Sequence, residues 1–577
     1  MLGTPKVTRW LGLAAFVLSL PVLGLGHVLD DLQQQAMVRG TYDSASRTAA
    51  QLYCFSLGPG LGLDPRLLSW WDHADSRLCF LRPLSSWSLW LDHAFLWELP
   101  ALTHLHALLW FMGLWFGWRR ILLHYLPANI ANLALLLVAT SGFVSFSIAW
   151  IAARHALVGG CLSVWGLFYC LTGRDAGRAR QEWFGLALVA LGLLSSEMAL
   201  GAFGFLVARE WFTRSETGAR RAGCWPRIAG YALAGLAYVG VHAALGYGAR
   251  NYPMYLEPFG QPLTFLLAVP ERLLALTGEL VLGLPSEFWL YPSVRPIVAI
   301  ICVLAALLAA RALRDAWQVA PAELKRSLRW LGAGALLSLA PCLSGMQGGR
   351  SLAIAGFPLI AMIAACLLLR GGASSSGRGT RWLRSLSLRT LAAGALIGNP
   401  IVHVAWYAVV SGLDHAGEKG FDRTHIDCPR DADVYLIDAS QLGASAWYAR
   451  YWLEELLGAK NFRQLTMIPN GITGIELSRT APSSMVLRAR GGPLVGPMAM
   501  PPGREGEIKP GLERRYPDYR VSVQQVGAYG PTQVEFAFAR ALDADQLCLF
   551  VHDDARLYQI DPPAIGNSLV IRPSSPL

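Results

Sequence analysis

The chain is 577 residues long, 54% hydrophobic and 15% charged, with a mean hydropathy of +0.38. Soluble domains carry about 25% charge, so a single water-soluble globule is excluded. The formal net charge of +10 does not point to nucleic acid, because Lys and Arg gather at the ends of apolar runs, as cytoplasmic anchors of membrane helices do.

Apolar runs of about 20 residues recur along the first 410 positions, the pattern of a polytopic helical membrane protein. Lys6 and Arg9 precede the first, Trp10 to Val28. No small-x-small cleavage site follows it, so it reads as an anchor helix with its N-terminus inside. Asp30-Asp31 then lies at the outer surface and opens a long loop, residues 29–100. That loop closes on Arg82-Pro83-Leu84-Ser85 and an aromatic amphipathic run, Trp87 to Trp97. Further spans are expected at about Leu99 to Trp118, Pro127 to Trp150 and His155 to Leu171, with Arg154 in the outer turn between the last two.

Glu182 to Trp211 has basic flanks on both sides: Arg174, Arg178 and Arg180 before it, Arg214, Arg220, Arg221 and Arg227 after it. The positive-inside rule favours both ends inside. It therefore reads as a hairpin of two short helices with Ser195-Ser196-Glu197 at its tip, and a single long span is the alternative. About fourteen residues reach roughly 20 Å in a hydrocarbon layer about 30 Å thick, so Glu197 is expected within the bundle.

A span from Ile228 to Gly248 leads outward. The second outer loop, Arg250 to Pro292, carries an apolar helix near Phe265 to Leu284 that reads as interfacial or re-entrant, with a full span as the alternative. Spans near Pro296 to Ala312, Trp330 to Met346, Leu352 to Leu369 and Leu391 to Leu413 complete an expected set of about eleven, and Arg350 sits in an outer turn. The inner loop Arg370 to Arg389 is Gly/Ser-rich and basic. The membrane part thus covers residues 1–413. The tail, residues 414–577, is soluble in composition and lies outside if the hairpin reading holds. It reads as an α+β domain, with strands at Asp433–Asp438, Arg463–Ile468, Ser484–Arg488, Tyr519–Val526, Gln533–Phe538 and Gln546–Val551, and a helix at Ala444 to Leu457.

Ten cysteines include no CxxC pair. Cys161, Cys170, Cys302, Cys342 and Cys366 fall in apolar spans and behave as small hydrophobes. Cys54 and Cys79 share the first loop and Cys428 and Cys548 share the tail, so each pair is a candidate disulfide in an oxidising compartment. His73 and His93 among Asp72, Asp75 and Asp92 do not have zinc spacing, and Gly58 to Gly62 lacks a strand–helix setting for a phosphate loop. Asp431-Ala-Asp433 and Asp543-Ala-Asp545 are taken as chance strings, since nucleotide sugars are not expected outside. No cofactor and no protein-held metal is expected, and a divalent cation is left open.

A charge inside a bilayer costs at least about 2.5 kcal/mol at mid-helix, so ionisable residues near the membrane are default candidates for function. Asp30, Asp31, Arg82, Arg154, Glu197 and Arg350 share one expected depth at the outer face. A carboxylate takes the proton from a hydroxyl acceptor, and arginines hold a phosphate leaving group and its developing charge. Their bland readings are a solvated helix end for Asp30 and Asp31, and headgroup contacts for Arg82, Arg154 and Arg350.

The order Asp30-Asp31, Arg82-Pro83-Leu84-Ser85 running to Asp92, Pro100 and His104, then Ala149-Trp150-Ile151-Ala152-Ala153-Arg154, Ser196-Glu197 and Gly349-Arg350-Ser351 resembles the GT-C glycosyltransferases over roughly residues 8 to 370. It is most similar to protein O-mannosyltransferases and to transmembrane mannosyltransferases with tetratricopeptide repeats. The resemblance implies a polyprenyl-phosphate sugar donor, an outward-facing site and inversion at the sugar carbon, and it does not imply the acceptor; a hydroxyl acceptor is expected from the carboxylates, and a multi-pass protein of the plasma (inner) membrane is expected from the spans. It implies Asp30 or Asp31 as general base, Glu197 as the tip glutamate and Arg350 beside the lipid phosphate. The chain departs from that pattern at Ser196, where the family has Lys, and at Ala107 and Phe111, where it has Asn and His; the repeats are missing. A flippase of lipid-linked glycans and a non-catalytic scaffold for envelope assembly are the alternatives.

Overall fold

The computed structural model describes residues 5–40, 48–56, 69–72, 76–213, 221–252, 254–291, 294–345, 347–369, 378–419, 428–429, 431–438, 462–470, 474–495, 507–552 and 557–572. The helix expected at Ala444 to Leu457, the glycines of Gly58 to Gly62, His73 and Asp75 lie outside those residues.

The first part is helical. α1 (Pro5–Ser19) runs on as a 3-10 turn to Gly24. The first loop contributes α2 (Asp30–Arg39), β1 (Cys54–Ser56), β2 (Arg77–Cys79) and α3 (Pro83–Phe95). α4 (Pro100–Tyr125) follows, and both α3 and α4 start on a proline. Proline suits the first turn because its missing N–H has no intrahelical partner there. The third expected span is α5 (Ala128–Ala139) and α6 (Gly142–Ala149), bent by 49° at Thr140-Ser141. α7 (Arg154–Asp175) is continuous.

The segment after α7 reverses. α8 (Ala179–Leu193), a 3-10 turn at Glu197–Leu200 and α9 (Gly201–Thr213) form a hairpin. Both of its open ends meet the C-terminal end of α7. Gly173 packs against Glu182, Arg174 donates to Glu210 at 2.9 Å and Arg209 reaches Asp175 at 2.9 Å. The tip lies at the other end of α7, where Gly159 leaves room for Ser196. Arg174 and Arg227, one from each basic flank, thus meet at Glu210, Arg214 and Arg220 lie outside the described residues, and Glu197 stands at the turn.

α10 (Arg221–Ala244) returns from that basic end to the loop side and leads into β3 (Gly248–Arg250). α11 (Pro262–Leu282) ends against the π-helical bend Gly394–Gly398, where Gly283 and Gly398 leave no space for side chains. The chain then doubles back, because Trp289 and Arg295 both contact Glu271 on α11. α12 (Arg295–Val319), α13 (Ala322–Leu339), α14 (Gly356–Leu368), α15 (Arg378–Ala393) and α16 (Asn399–Lys419) complete the bundle.

Among the described residues three helices are long and apolar enough to cross a membrane, Ile151–Asp175, Arg295–Val319 and Arg381–Asp414, and the bent α5–α6 pair makes a fourth if read as one span. The expected count of eleven is therefore not shown by the described helices. Arg9–Gly24 and Gly356–Leu368 are short apolar helices, the hairpin divides one run, and α13 spends its first turns on Glu323, Lys325, Arg326 and Arg329. A lipid-facing surface is nonetheless evident. Ile297, Ile300, Leu304 and Leu307 recur at helical spacing on α12 and are each more than half exposed, an apolar stripe that water would not tolerate at this length.

The tail holds two sheets among its described residues. One is antiparallel, in the order β13 (Ser568–Ile571), β6 (Ile475–Ala481), β7 (Ser484–Ala489), β10 (Gly530–Phe538), β9 (Tyr519–Gly527), β8 (Glu513–Arg515). The other is mixed, in the order β12 (Leu557–Ile560), β11 (Leu547–His552), β4 (Ala432–Asp438), β5 (Phe462–Asn470), with β11, β4 and β5 parallel. All six expected strands form, and alternating burial along β6 explains why it joins them. The structure pairs Cys54 with Cys79 and Cys428 with Cys548 as disulfides.

The tail core is not made by the tail alone. Trp70 and Trp71 of the first loop are 0% and 1% exposed and pack among Ile468, Phe536 and their neighbours. The Trp70 indole donates to the Ile468 carbonyl at 2.6 Å, and its ring meets Phe536 edge-on at 6.3 Å. Arg514 donates to the Asp72 carbonyl. Contact of this kind requires the loop and the tail to lie on one side of any membrane the helices cross. Removing a buried Trp costs about 3–5 kcal/mol, so Trp70→Ala should speed hydrogen exchange in β5 and β10 and leave α7 and α8 protected. Unchanged exchange in the tail would show that its core stands without the loop.

Candidate functional site

The first-loop strands and helices exist to place side chains against the hairpin tip. α3 is docked by Leu84, whose N–H donates to the Leu194 carbonyl at 3.0 Å, and by the Ser85 hydroxyl, which donates to the Ser195 carbonyl at 2.9 Å. Arg82, just before α3, then reaches Glu197 with both arms; Nε donates to Oε2 at 2.9 Å and a terminal nitrogen to Oε1. The Arg82 guanidinium is 4.2 Å from the Phe80 ring centre and 4.9 Å from that of Tyr53. Such a planar, bidentate pair fixes geometry as well as charge. His155 shares a hydrogen bond with the Ser196 hydroxyl at 3.1 Å.

The two adjacent aspartates have different places. Leu29, which precedes them, has φ +55°, a conformation that costs a branched L-residue about 1–3 kcal/mol. Asp31 holds that turn. Its carboxylate accepts from the Val28 N–H at 3.1 Å and from the Ala152 N–H at 2.7 Å, and the residue is 0% exposed. Asp30, aimed the other way, faces a cavity of about 460 Å³, within the roughly 300–1,000 Å³ of small-molecule sites. Arg82, Glu197 and Arg350 line the same cavity, together with Tyr53, Trp150, His155, His242 and Tyr255. The structure therefore brings together Asp30, Arg82, Glu197 and Arg350, and puts Asp31 behind the wall as the residue that aims Asp30.

Arg154 is also behind the wall. It is 1% exposed, lies 2.5 Å from Asp92 and 3.0 Å from His106, and donates to the Thr103 carbonyl. Burial opposes ionisation of Asp92, but the His106 hydrogen bond and the Arg154 charge outweigh it and hold the carboxyl below its usual range. This cluster joins α3, α4 and α7. Its charges are spent on one another.

Arg350 is different. Among the described residues no carboxylate lies within ion-pair distance of its guanidinium, which stands 5.4 Å from the Trp150 ring centre. Its backbone is set by the two glycines before it. A Cβ on Gly349 would lie 2.5 Å from the Phe143 Cα and 3.0 Å from a Glu279 oxygen, and one on Gly348 would lie 2.8 Å from a Glu287 oxygen. Burial pushes the Glu287 carboxyl up to about 7. Glu279 and Glu287 are far from the other site residues in sequence and sit in ordinary apolar surroundings, so composition offered no sign of them. Tyr53, Tyr255 and His242 were likewise unmarked. His104, by contrast, bonds the Gly26 carbonyl at 3.1 Å and serves the packing of α4 on the first span. Among the described residues no group of three or more His, Cys, Asp or Glu is placed to hold a metal ion.

No protein-family profile and no curated protein matches the chain. A solved structure with some likeness is that of the Archaeoglobus fulgidus oligosaccharyltransferase tethered with an acceptor peptide containing the NVT sequon via a disulfide bond. It aligns with a TM-score of 0.40 at 12% identity, over 81% of this chain and 64% of that one. The chain thus spans less than two thirds of that protein, and a likeness of this size fixes neither family nor activity.

Two outcomes test the assignment of supporting roles. Asp92→Asn strips Arg154 of its counter-charge in a buried place and should cost about 3–5 kcal/mol of stability, read as thermal unfolding in detergent; a loss under about 1 kcal/mol refutes a structural role. Burial, partly offset by its two N–H donors, pushes the Asp31 carboxyl up to about 7. Its folded value lies above the unfolded value of about 3.9, so its contribution to stability is complete below that value and is lost as the pH rises through about 7. The melting temperature of the wild type should therefore fall more steeply between about pH 4 and 7 than that of Asp31→Asn. Parallel curves would remove Asp31 from this role.

Proposed function

We propose that the protein is a membrane glycosyltransferase of the GT-C type, moving a sugar from a polyprenyl-phosphate donor to a hydroxyl acceptor with inversion. The observation that carries this reading is one cavity that holds a carboxylate, Asp30, and an arginine without an ion-pair partner among the described residues, Arg350. The chemistry needs both. Asp30 takes the proton from the acceptor hydroxyl as its oxygen bonds to the anomeric carbon. The bond from that carbon to the phosphate oxygen breaks, and Arg350 meets the charge that develops on the leaving phosphate. Trp150 backs the Arg350 guanidinium, and the Arg82–Glu197 pair sets the opposite wall. The site faces outward in a plasma (inner) membrane, the N-terminus is cytoplasmic and the tail domain shares the outer side.

The resemblance in residue order supports the same reading, with Arg82 as the cation beside the tip glutamate where the related enzymes carry Lys at the position of Ser196. The test is transfer from polyprenyl-phosphate sugars to a panel of hydroxyl acceptors by the protein in lipid nanodiscs. Asp30→Asn should lower turnover by about 10²–10⁴, and Arg350→Gln by about 10²–10³, with melting temperatures unchanged. Turnover that survives Asp30→Asn would sink the assignment of the base, and no transfer from any such donor would sink the transferase.

A further inference from the structure

The proposed chemistry leaves part of the cavity wall unused. β1, β2 and β3 form a small antiparallel sheet that joins the first loop to the loop after α10. In its register Arg77 on β2 stands directly opposite Arg250 on β3. Like charges in directly opposed positions repel and destabilise a sheet. Both arginines also line the cavity that holds Asp30 and Arg350.

Among the described residues neither guanidinium has a carboxylate within ion-pair distance. Arg77 spends one nitrogen on the Gly246 carbonyl at 2.5 Å, which orients it without removing its charge. Glu257 lines the same cavity and is near enough to feel both charges, yet one of its oxygens is buried with no hydrogen-bond partner. A repelling pair of rigid, multi-donor cations on a cavity wall is what a site for a planar or tetrahedral oxyanion requires.

We propose that Arg77 and Arg250 form a second anion subsite of the cavity, which takes a phosphate or carboxylate group carried by the substrate in addition to the phosphate at Arg350. This rests on the transferase reading for its meaning, since it makes the ligand at that wall an acidic one. The subsite itself is a statement about binding. An acidic sugar and a phospholipid headgroup present the same chemistry.

The experiment is a titration of the full chain in neutral detergent with inorganic phosphate at low ionic strength, followed by ³¹P line broadening. Variants are Arg77→Gln/Arg250→Gln, Arg350→Gln and the conservative Arg77→Lys/Arg250→Lys. The double Gln variant should lose about tenfold in phosphate affinity, the scale of one charge-assisted contact. The double Lys variant should keep most of it, and Arg350→Gln should leave the component that the pair provides. Glucuronate that displaces phosphate from the pair identifies a soluble acidic ligand, whereas displacement by phosphatidylglycerol alone identifies a headgroup. Wild-type affinity in a correctly folded double Gln variant overturns the proposal. The readout needs no turnover, so a failure of transfer assays alone leaves the subsite standing and a failure of phosphate binding leaves the transferase standing.

Discussion

The Arg82–Glu197 pair is the contact on which the cavity depends. It joins the first loop to the tip of a hairpin that starts more than 90 residues later in the chain. A lone carboxylate at that depth would be costly, and a lone arginine between Phe80 and Tyr53 would be no better. Each makes the other tolerable, and the bidentate geometry fixes the distance between the two walls. Ser85 and Leu84 repeat the link through backbone carbonyls of the tip, so the loop cannot shift without breaking several bonds at once.

Around that link the charged residues divide into two groups. Asp31 is buried and accepts an N–H on each carboxylate oxygen, and Asp92 and Arg154 are buried and paired with each other. They give the backbone its shape. Asp30, Arg350, Arg77 and Arg250 face the cavity. The separation has a physical cause. A charge already committed to a buried partner has little left to offer a substrate, whereas a cation without a counter-ion in a wall is stable when something anionic visits it. Adjacent residues can therefore do unlike work, as Asp30 and Asp31 do on either side of a strained turn.

Much of this was legible in the sequence, and the illegible part has a common character. Basic flanks predicted the hairpin, because the cost of moving arginines across lipid is a property of composition. Alternation marked the tail strands. The depth argument gathered Asp30, Asp31, Arg82, Arg154, Glu197 and Arg350 near one face, but depth cannot tell which way a side chain points. Asp31 and Arg154 turned inward because Ala152 and Asp92, distant in the chain, wait there. Glu279 and Glu287 escaped notice because they matter through two glycines beside Arg350 that have no room for a Cβ. Helix length misled most. A run of apolar residues counts as a span on paper, while Thr140-Ser141 bends the run from Pro127 to Trp150 by 49° in space.

The burial of Trp70 and Trp71 in the tail core has a bearing on how the protein is made. The strands that cover these residues follow them in the chain by hundreds of residues. At about 5–20 residues per second, roughly 500 residues of further synthesis leave the two indoles uncovered for about 25–100 s. During that interval the loop that carries Asp30 and Arg82 has no anchor on its outer side. Strands made hundreds of residues later thus finish a structure begun by the first loop, and a chain terminated before them would lack a settled cavity even with every cavity-lining side chain already in place.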